Sequence, residues 1–130
     1  MSEIRSNPCS ACPYRCDVPS GVWAHSEYEK LRDYDKPTGE QPFAVFACHA
    51  TPEHLCNGWA VVHSGRGSEF DLLALRMEGC PPIPEPTIAM WASGNAAADH
   101  GQADIETPSD EAMATVARLM NKYERLQDHS

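Results

Sequence analysis

The sequence has little positive charge and no long apolar run. Lysine and arginine account for 10 of the 130 residues, against 19 aspartates and glutamates, so the formal charge is −9. Nucleic acid and anionic lipid are both bound through dense basic surfaces, and this charge balance argues against either as a general partner. The longest apolar run, Phe43 to Cys48, has six residues, whereas a membrane span needs about 18 or more. The sequence therefore predicts neither a nucleic-acid-binding protein nor a membrane protein.

The sequence also lacks the patterns that mark secretion and common catalytic sites. Its first residues have no apolar stretch of the kind found in signal peptides, so we expect a cytoplasmic location. No HExxH, HxE…PCxxC, glycine-rich phosphate loop or nucleophile-elbow pattern occurs. These absences predict a protein that is not an enzyme.

Six cysteines are present instead, and four of them form two spaced pairs. In a reducing compartment disulfides are rare, and clustered cysteines more often bind a metal. Cys9 and Cys12 have the C-x2-C spacing that lets two thiolates bind one ion from a tight turn. Cys48 and Cys56, at C-x7-C spacing, lie where a predicted strand ends and a predicted helix begins. The four are therefore the predicted metal ligands.

Two further side chains are alternative ligands. Cys16 lies four residues after Cys12 and could replace one of the four, although a non-ligand role is favoured. His49 follows Cys48 directly, and because adjacent residues seldom bind the same ion comfortably, it fits better as a neighbour of the site. Cys80 follows a helix-ending glycine and is expected to be structural or free.

The identity of the metal stays open at this point. Zinc and a [4Fe–4S] cluster both accept four cysteines, so the ligand count does not separate them. The C-x7-C spacing departs from the two short pairs of a zinc knuckle, and the Cys12-Pro13 step occurs in many ferredoxin-type runs. Structural sites in the cytoplasm more often hold zinc, so we predict Zn2+ with a [4Fe–4S] cluster as the alternative.

The remaining patterns predict a small α+β domain, with short helices and a minor strand element around the four-cysteine site. The apolar run 43–47 favours a buried strand. Residues 54–63 have helical spacing, as do residues 68–79. Near the start of the chain, Ser26 and Glu29 have capping-box spacing and begin a short helix whose inner face is Tyr28 and Leu31.

Three segments are expected along the chain. Residues 1–80 form the cysteine-rich metal-binding domain, and 81–106 a linker rich in proline and small residues. Residues 107–127 form a C-terminal amphipathic helix capped by Thr107, with Pro108 at its first position. Its apolar positions recur at helical spacing: Ala112, Val116, Leu119, Tyr123 and Leu126. This helix packs on the core or, alternatively, binds a partner or a second copy of the chain.

Several motifs occur in order with characteristic gaps, namely Cys-Ser-Ala-Cys-Pro-Tyr-Arg from Cys9, Phe-Ala-Cys-His from Phe46 and Leu-Cys-Asn-Gly-Trp from Leu55. Over residues 7–80 they resemble a small family of unknown function from actinobacteria and their phages. The resemblance implies a metal site but no activity. It also implies arginine at the position of Cys16, where this chain departs from the pattern. The shared cysteines would correspond to Cys9, Cys12, Cys48 and Cys56.

Gly21-Val22-Trp23 is similar to a turn in the WhiB-like regulators, which hold a [4Fe–4S] cluster, although the cysteine spacing differs. The leading hypothesis is a non-catalytic, zinc-stabilised protein–protein interaction module, serving as a phage or actinobacterial regulatory or accessory protein. The alternative is a [4Fe–4S] redox sensor or transcription-linked regulator. The acidic charge favours a basic protein surface as the partner.

Overall fold

Five α-helices joined by long loops make up the part of the chain that the computed structural model describes. That part is residues 3–64 and 66–128, with the backbone alone for 122–128. None of the helices in these residues is both long and apolar enough to cross a membrane. Two short 3-10 helices lie at Thr38–Glu40 and Ser68–Phe70. The α-helices are α1 (His25–Asp33), α2 (Asn57–His63), α3 (Leu73–Met77), α4 (Gly94–Ala103) and α5 (Asp110–Asp128).

Strand pairing in the described residues is limited to isolated bridges. The predicted strand at 43–47 is wrong, because only Ala47 of that run pairs, with Leu55, and Phe43 is 79% exposed. Phe46 is buried, so the run contributes single side chains to the core and not a continuous face. The protein is therefore mostly helical, and the expected α+β architecture is reduced to helices and loops.

Within the expected linker at 81–106, the segment Gly94–Ala103 forms α4, which packs against α1. Ser93 begins the helix by accepting a hydrogen bond from the Ala96 amide, at 3.0 Å. A Cβ on Gly101 would lie 2.1 Å from Cε1 of Tyr28, so only glycine permits this approach. The small residues that suggested a linker thus serve close helix packing. The buried inner face predicted for α1, Tyr28 and Leu31, is confirmed.

Helices α2 and α3 lie within the predicted helical segments but are shorter. The first begins at Asn57 and not at residue 54, and its Trp59 is fully buried. Gly79, at φ 86°, follows α3 in the left-handed conformation that helix ends favour. Met77, the last residue of α3, is 63% exposed.

Helix α5 rests on a small apolar cluster of its own. Ser109, and not Thr107, caps it by accepting a hydrogen bond from the Ala112 amide at 3.1 Å. Ala112 is buried, and Val116 and Leu119 pack partly buried around it. The predicted positions Tyr123 and Leu126 lie outside the described side chains. The residues that α5 covers include those that follow the first cysteine: Ala11, Val18 and Val22.

Candidate metal centre

Three loop segments bring the four predicted cysteine ligands together. In the first, the Cys12 amide donates to the Cys9 carbonyl at 3.1 Å, which closes a tight turn. In the second, the Cys48 amide donates to the His54 carbonyl and the Cys56 amide to the Phe46 carbonyl, so the chain doubles back around the bridge between Ala47 and Leu55. The third segment is the N-terminal one, whose Arg5 amide donates to the Leu55 carbonyl at 3.0 Å.

All four thiols are buried in the main core and none forms a disulfide. Cys12 Sγ lies 3.9 Å from Cys56 Sγ, and Cys9 lies near enough to Cys48 for each thiol to shift the pKa of the other. The donors thus form two pairs. Within the described residues, no group of three or more Cys, His, Asp or Glu side chains has the arrangement to hold a metal ion. The four cysteines predicted as ligands therefore lie near one another as two pairs, and they do not surround a single point as the ligands of one metal ion would.

The two thiols of each pair shift each other's pKa in opposite directions. The neighbouring Cys9 thiol lowers the pKa of Cys48 to about 4, and Cys48 raises the pKa of Cys9 well above its ordinary value. In the other pair, the hydrogen bond with Cys56 lowers the pKa of Cys12, while that of Cys56 is raised. The charge of Cys12 adds to the rise at Cys9, so the two pairs lie within electrostatic reach. In each pair, one thiol is therefore more acidic than the other.

Arg5 is a functional neighbour that sequence reasoning missed. Its Nη1 lies 3.6 Å from Cys48 Sγ and 3.4 Å from the Thr51 hydroxyl. The Asn57 side chain fixes this segment by donating to the Arg5 carbonyl at 2.8 Å. No local pattern signals the contact, because it depends on a backbone bridge between Ile4 and Leu55.

Neither alternative ligand forms a metal-binding group with the four cysteines in the described part of the chain. Cys16 is exposed, and its amide donates to the carbonyl of Ala89. His49 stacks on Trp23 with ring centroids 4.2 Å apart, and its Nε2 lies 3.2 Å from Glu27 Oε2, so it neighbours the site. Cys80 is exposed.

A buried polar chain lies beside the cysteines. Tyr14, fully buried, shares a 2.8 Å hydrogen bond with His63 Nε2. His63 Nδ1 lies 3.4 Å from Asp35 Oδ1, and Arg66 Nη1 lies 3.0 Å from the same oxygen. Burial lowers the pKa of His63 to about 4, and the attraction of Asp35 only partly opposes this. The buried site therefore favours the neutral form of the His63 imidazole.

Acid is expected to destabilise the protein through His63 before most carboxylates titrate. Between pH 6.5 and 5 the unfolded chain gains a proton at this residue that the folded chain excludes, so stability falls as the pH falls. The expected loss over this window is about 2 kcal/mol. Urea unfolding of the wild type and of His63→Gln, at matched zinc content, measures it. An equally steep pH dependence in the variant would contradict the assignment.

Gly58 in α2 is packed against the cysteine turn, and enlarging it should disturb the site. A Cβ there would lie 2.8 Å from Cys12 Sγ and 2.7 Å from Tyr14 Cβ. We expect Gly58→Ala to cost about 1–3 kcal/mol through overpacking, and to separate Cys12 from Cys56. Thermal unfolding and thiol titration measure the two effects. Gly39→Ala is the matched control, because nothing lies within 4 Å of its Cβ; equal effects in both variants would refute the contact.

Comparison with known proteins identifies a family for this chain but no individual relative. The model of a family of unknown function, DUF6283, matches residues 4–121. No curated protein and no solved structure matches the chain. The actinobacterial and phage origin that the motifs imply stays a prediction. Because the match extends over most of the sequence, the chain belongs to the DUF6283 family of unknown function.

Proposed function

We propose that Cys9, Cys12, Cys48 and Cys56 bind one Zn2+ ion, and that the protein is a non-catalytic interaction module whose fold this ion stabilises. The observation that carries the proposal is the buried contact between Cys12 Sγ and Cys56 Sγ, at 3.9 Å. Four sulfurs around a tetrahedral zinc, with bonds of about 2.3 Å, lie about 3.8 Å apart. One pair therefore already has the separation that a shared ion requires.

Charge supports the same proposal. The pKa values of Cys48 and Cys12 are lowered, and a buried thiolate is costly unless a cation compensates it. Arg5 is placed to compensate only Cys48. A divalent ion would compensate the negative charge that the four sulfurs carry once their protons are lost.

The sulfur separation favours zinc over an iron–sulfur cluster. A [4Fe–4S] cluster binds each cysteine through a different iron atom, so the cluster core would hold the sulfurs well apart. A single ion instead brings its ligands into mutual contact, which the Cys12–Cys56 pair already has. A redox role would need the cluster, so the structural role is the better supported of the two.

The surface supports a protein partner of complementary charge. The formal charge of −9 becomes roughly −11 when four thiolates and one divalent ion are added. Apolar side chains are also exposed: Phe43 is 79% exposed, and Met113 and Met120 on α5 are 53% and 58% exposed. A basic surface with apolar pockets suits this combination. Pairing of two chains through α5 is the alternative assembly.

Elemental analysis and an absorption spectrum of protein purified without oxygen test the metal proposal. We expect one zinc per chain and a colourless solution, and replacement by Co2+ should give the intense visible bands of a tetrahedral thiolate site. Iron in the protein, together with a broad absorption band near 400 nm, would instead support a [4Fe–4S] redox protein. Protein that contains no metal and binds none when Zn2+ is added would refute both.

A further inference from the structure

A pocket of about 160 Å³ lies against one corner of the cysteine site, between the first cysteine turn and α5. The wall on the cysteine side is formed by residues 9–11, and Cys9 itself lines the space. The stacked rings of Trp23 and His49 form a second wall. Helix α5 forms the third with Thr115, Arg118 and Leu119.

Arg118 is unusual among the cations of this acidic protein. Each lysine and arginine with a described side chain lies within ion-pair distance of a carboxylate, apart from Arg5 and Arg118. Arg5 contacts the Cys48 sulfur. Arg118 donates from Nη2 to the Thr115 hydroxyl at 3.0 Å, and no other side-chain acceptor is found for it in the described residues. Its guanidinium thus retains donors at the edge of the pocket.

We propose that this pocket binds a small organic carboxylate. A guanidinium presents paired donors that match a carboxylate, and the single cation among the described lining residues suits a monoanion. Trp23 and Leu119 provide apolar surface for a short carbon chain. The volume equals that of about five water molecules at about 30 Å³ each, so the ligand has few heavy atoms. This site goes beyond the metal proposal and does not depend on it.

The pocket also links its occupant to the cysteine site. Trp23 Nε1 donates to the Ala11 carbonyl at 2.8 Å, inside the turn that carries Cys9 and Cys12. A bound carboxylate would therefore touch the same turn on one side and α5 on the other. Binding of the carboxylate should therefore change the NMR signals of residues in both walls.

The test is a titration of the full-length, isotopically labelled protein with propionate, followed by amide and indole NMR signals. We expect saturable shifts at the Trp23 indole and at the Ser10 and Thr115 amides. Arg118→Gln, an exposed substitution, should weaken the binding about tenfold or more. Arg76→Gln, which removes an arginine paired with Asp71 elsewhere on the surface, is the control and should leave the binding unchanged.

Propionamide separates anion recognition from simple filling of the space. It has nearly the same shape as propionate without the charge, and we expect no saturable shift from it. Equal binding of propionamide, equal affinity in Arg118→Gln, or no saturable shift with propionate would each overturn the proposal. Zinc content measured on the same samples shows separately whether the metal proposal holds.

Discussion

A Cys56→Ser variant is expected to lose bound zinc and to fail to fold into soluble protein. Structural zinc sites supply about 10–16 kcal/mol of apparent binding free energy, whereas a whole domain has a net stability of about 5–15 kcal/mol. Cys56 is 3% exposed and contacts Cys12, so its replacement removes a buried ligand of the proposed site. Metal analysis and circular dichroism of the purified variant measure the two losses.

Two cysteines of the same chain are the controls. Cys16→Ser and Cys80→Ser replace exposed thiols outside the four-cysteine cluster and should keep both zinc and fold. Full metal content in Cys56→Ser would show that the ligand set is wrong. A loss in Cys16→Ser equal to that in Cys56→Ser would instead make Cys16 a ligand.

Asp35→Ala is expected to cost about 3–5 kcal/mol of stability, because it removes one partner from a buried charged network. Asp35 accepts hydrogen bonds from the Gly94 and Asn95 amides at 2.8 and 2.7 Å, at the first turn of α4. It also pairs with Arg66 and faces His63. The substitution leaves the two amides and Arg66 without this acceptor and removes the carboxylate that faces His63. Urea denaturation measured at pH 7 gives the change in the free energy of unfolding.

Asp33 gives the matched comparison two positions earlier. Its side chain is 47% exposed and pairs only with Lys36, at 3.2 Å. Asp33→Ala should therefore change stability by no more than about 1 kcal/mol. If the two alanine variants were equally stable, the network around Asp35 would have no special energetic role.

The turn that carries Cys9 and Cys12 follows from information that is local in the sequence, because C-x2-C spacing sets the distance between these two residues. The contact of Cys12 with Cys56 is long-range, and the sequence predicts it only because four thiols suit one metal ion. Arg5 is different. Its contact with Cys48 depends on where the N-terminal segment lies in space, and neither spacing nor residue type encodes that position.

The errors in the predicted fold have a common physical cause. The residue pattern of a segment limits which secondary structures it can form, whereas the surfaces that pack against it determine which one it adopts. The Gly- and Ala-rich segment at 94–103 has few large apolar side chains of its own. It forms a helix because Tyr28 and Leu31 present a surface that only small residues can approach closely. The apolar run at 43–47 has strand propensity but only one bridged partner, so it stays a loop.

The packing of α1 against α4 also constrains when the protein can fold during synthesis. These helices share the most extensive contact between helices in the described structure, but the residues of α2 and α3 lie between them in sequence. Contacts between distant parts of a chain form only after the loop between them has closed. Helix α1 therefore leaves the ribosome long before its partner. The face formed by Tyr28 and Leu31 therefore has no helix to pack against until α4 has been translated.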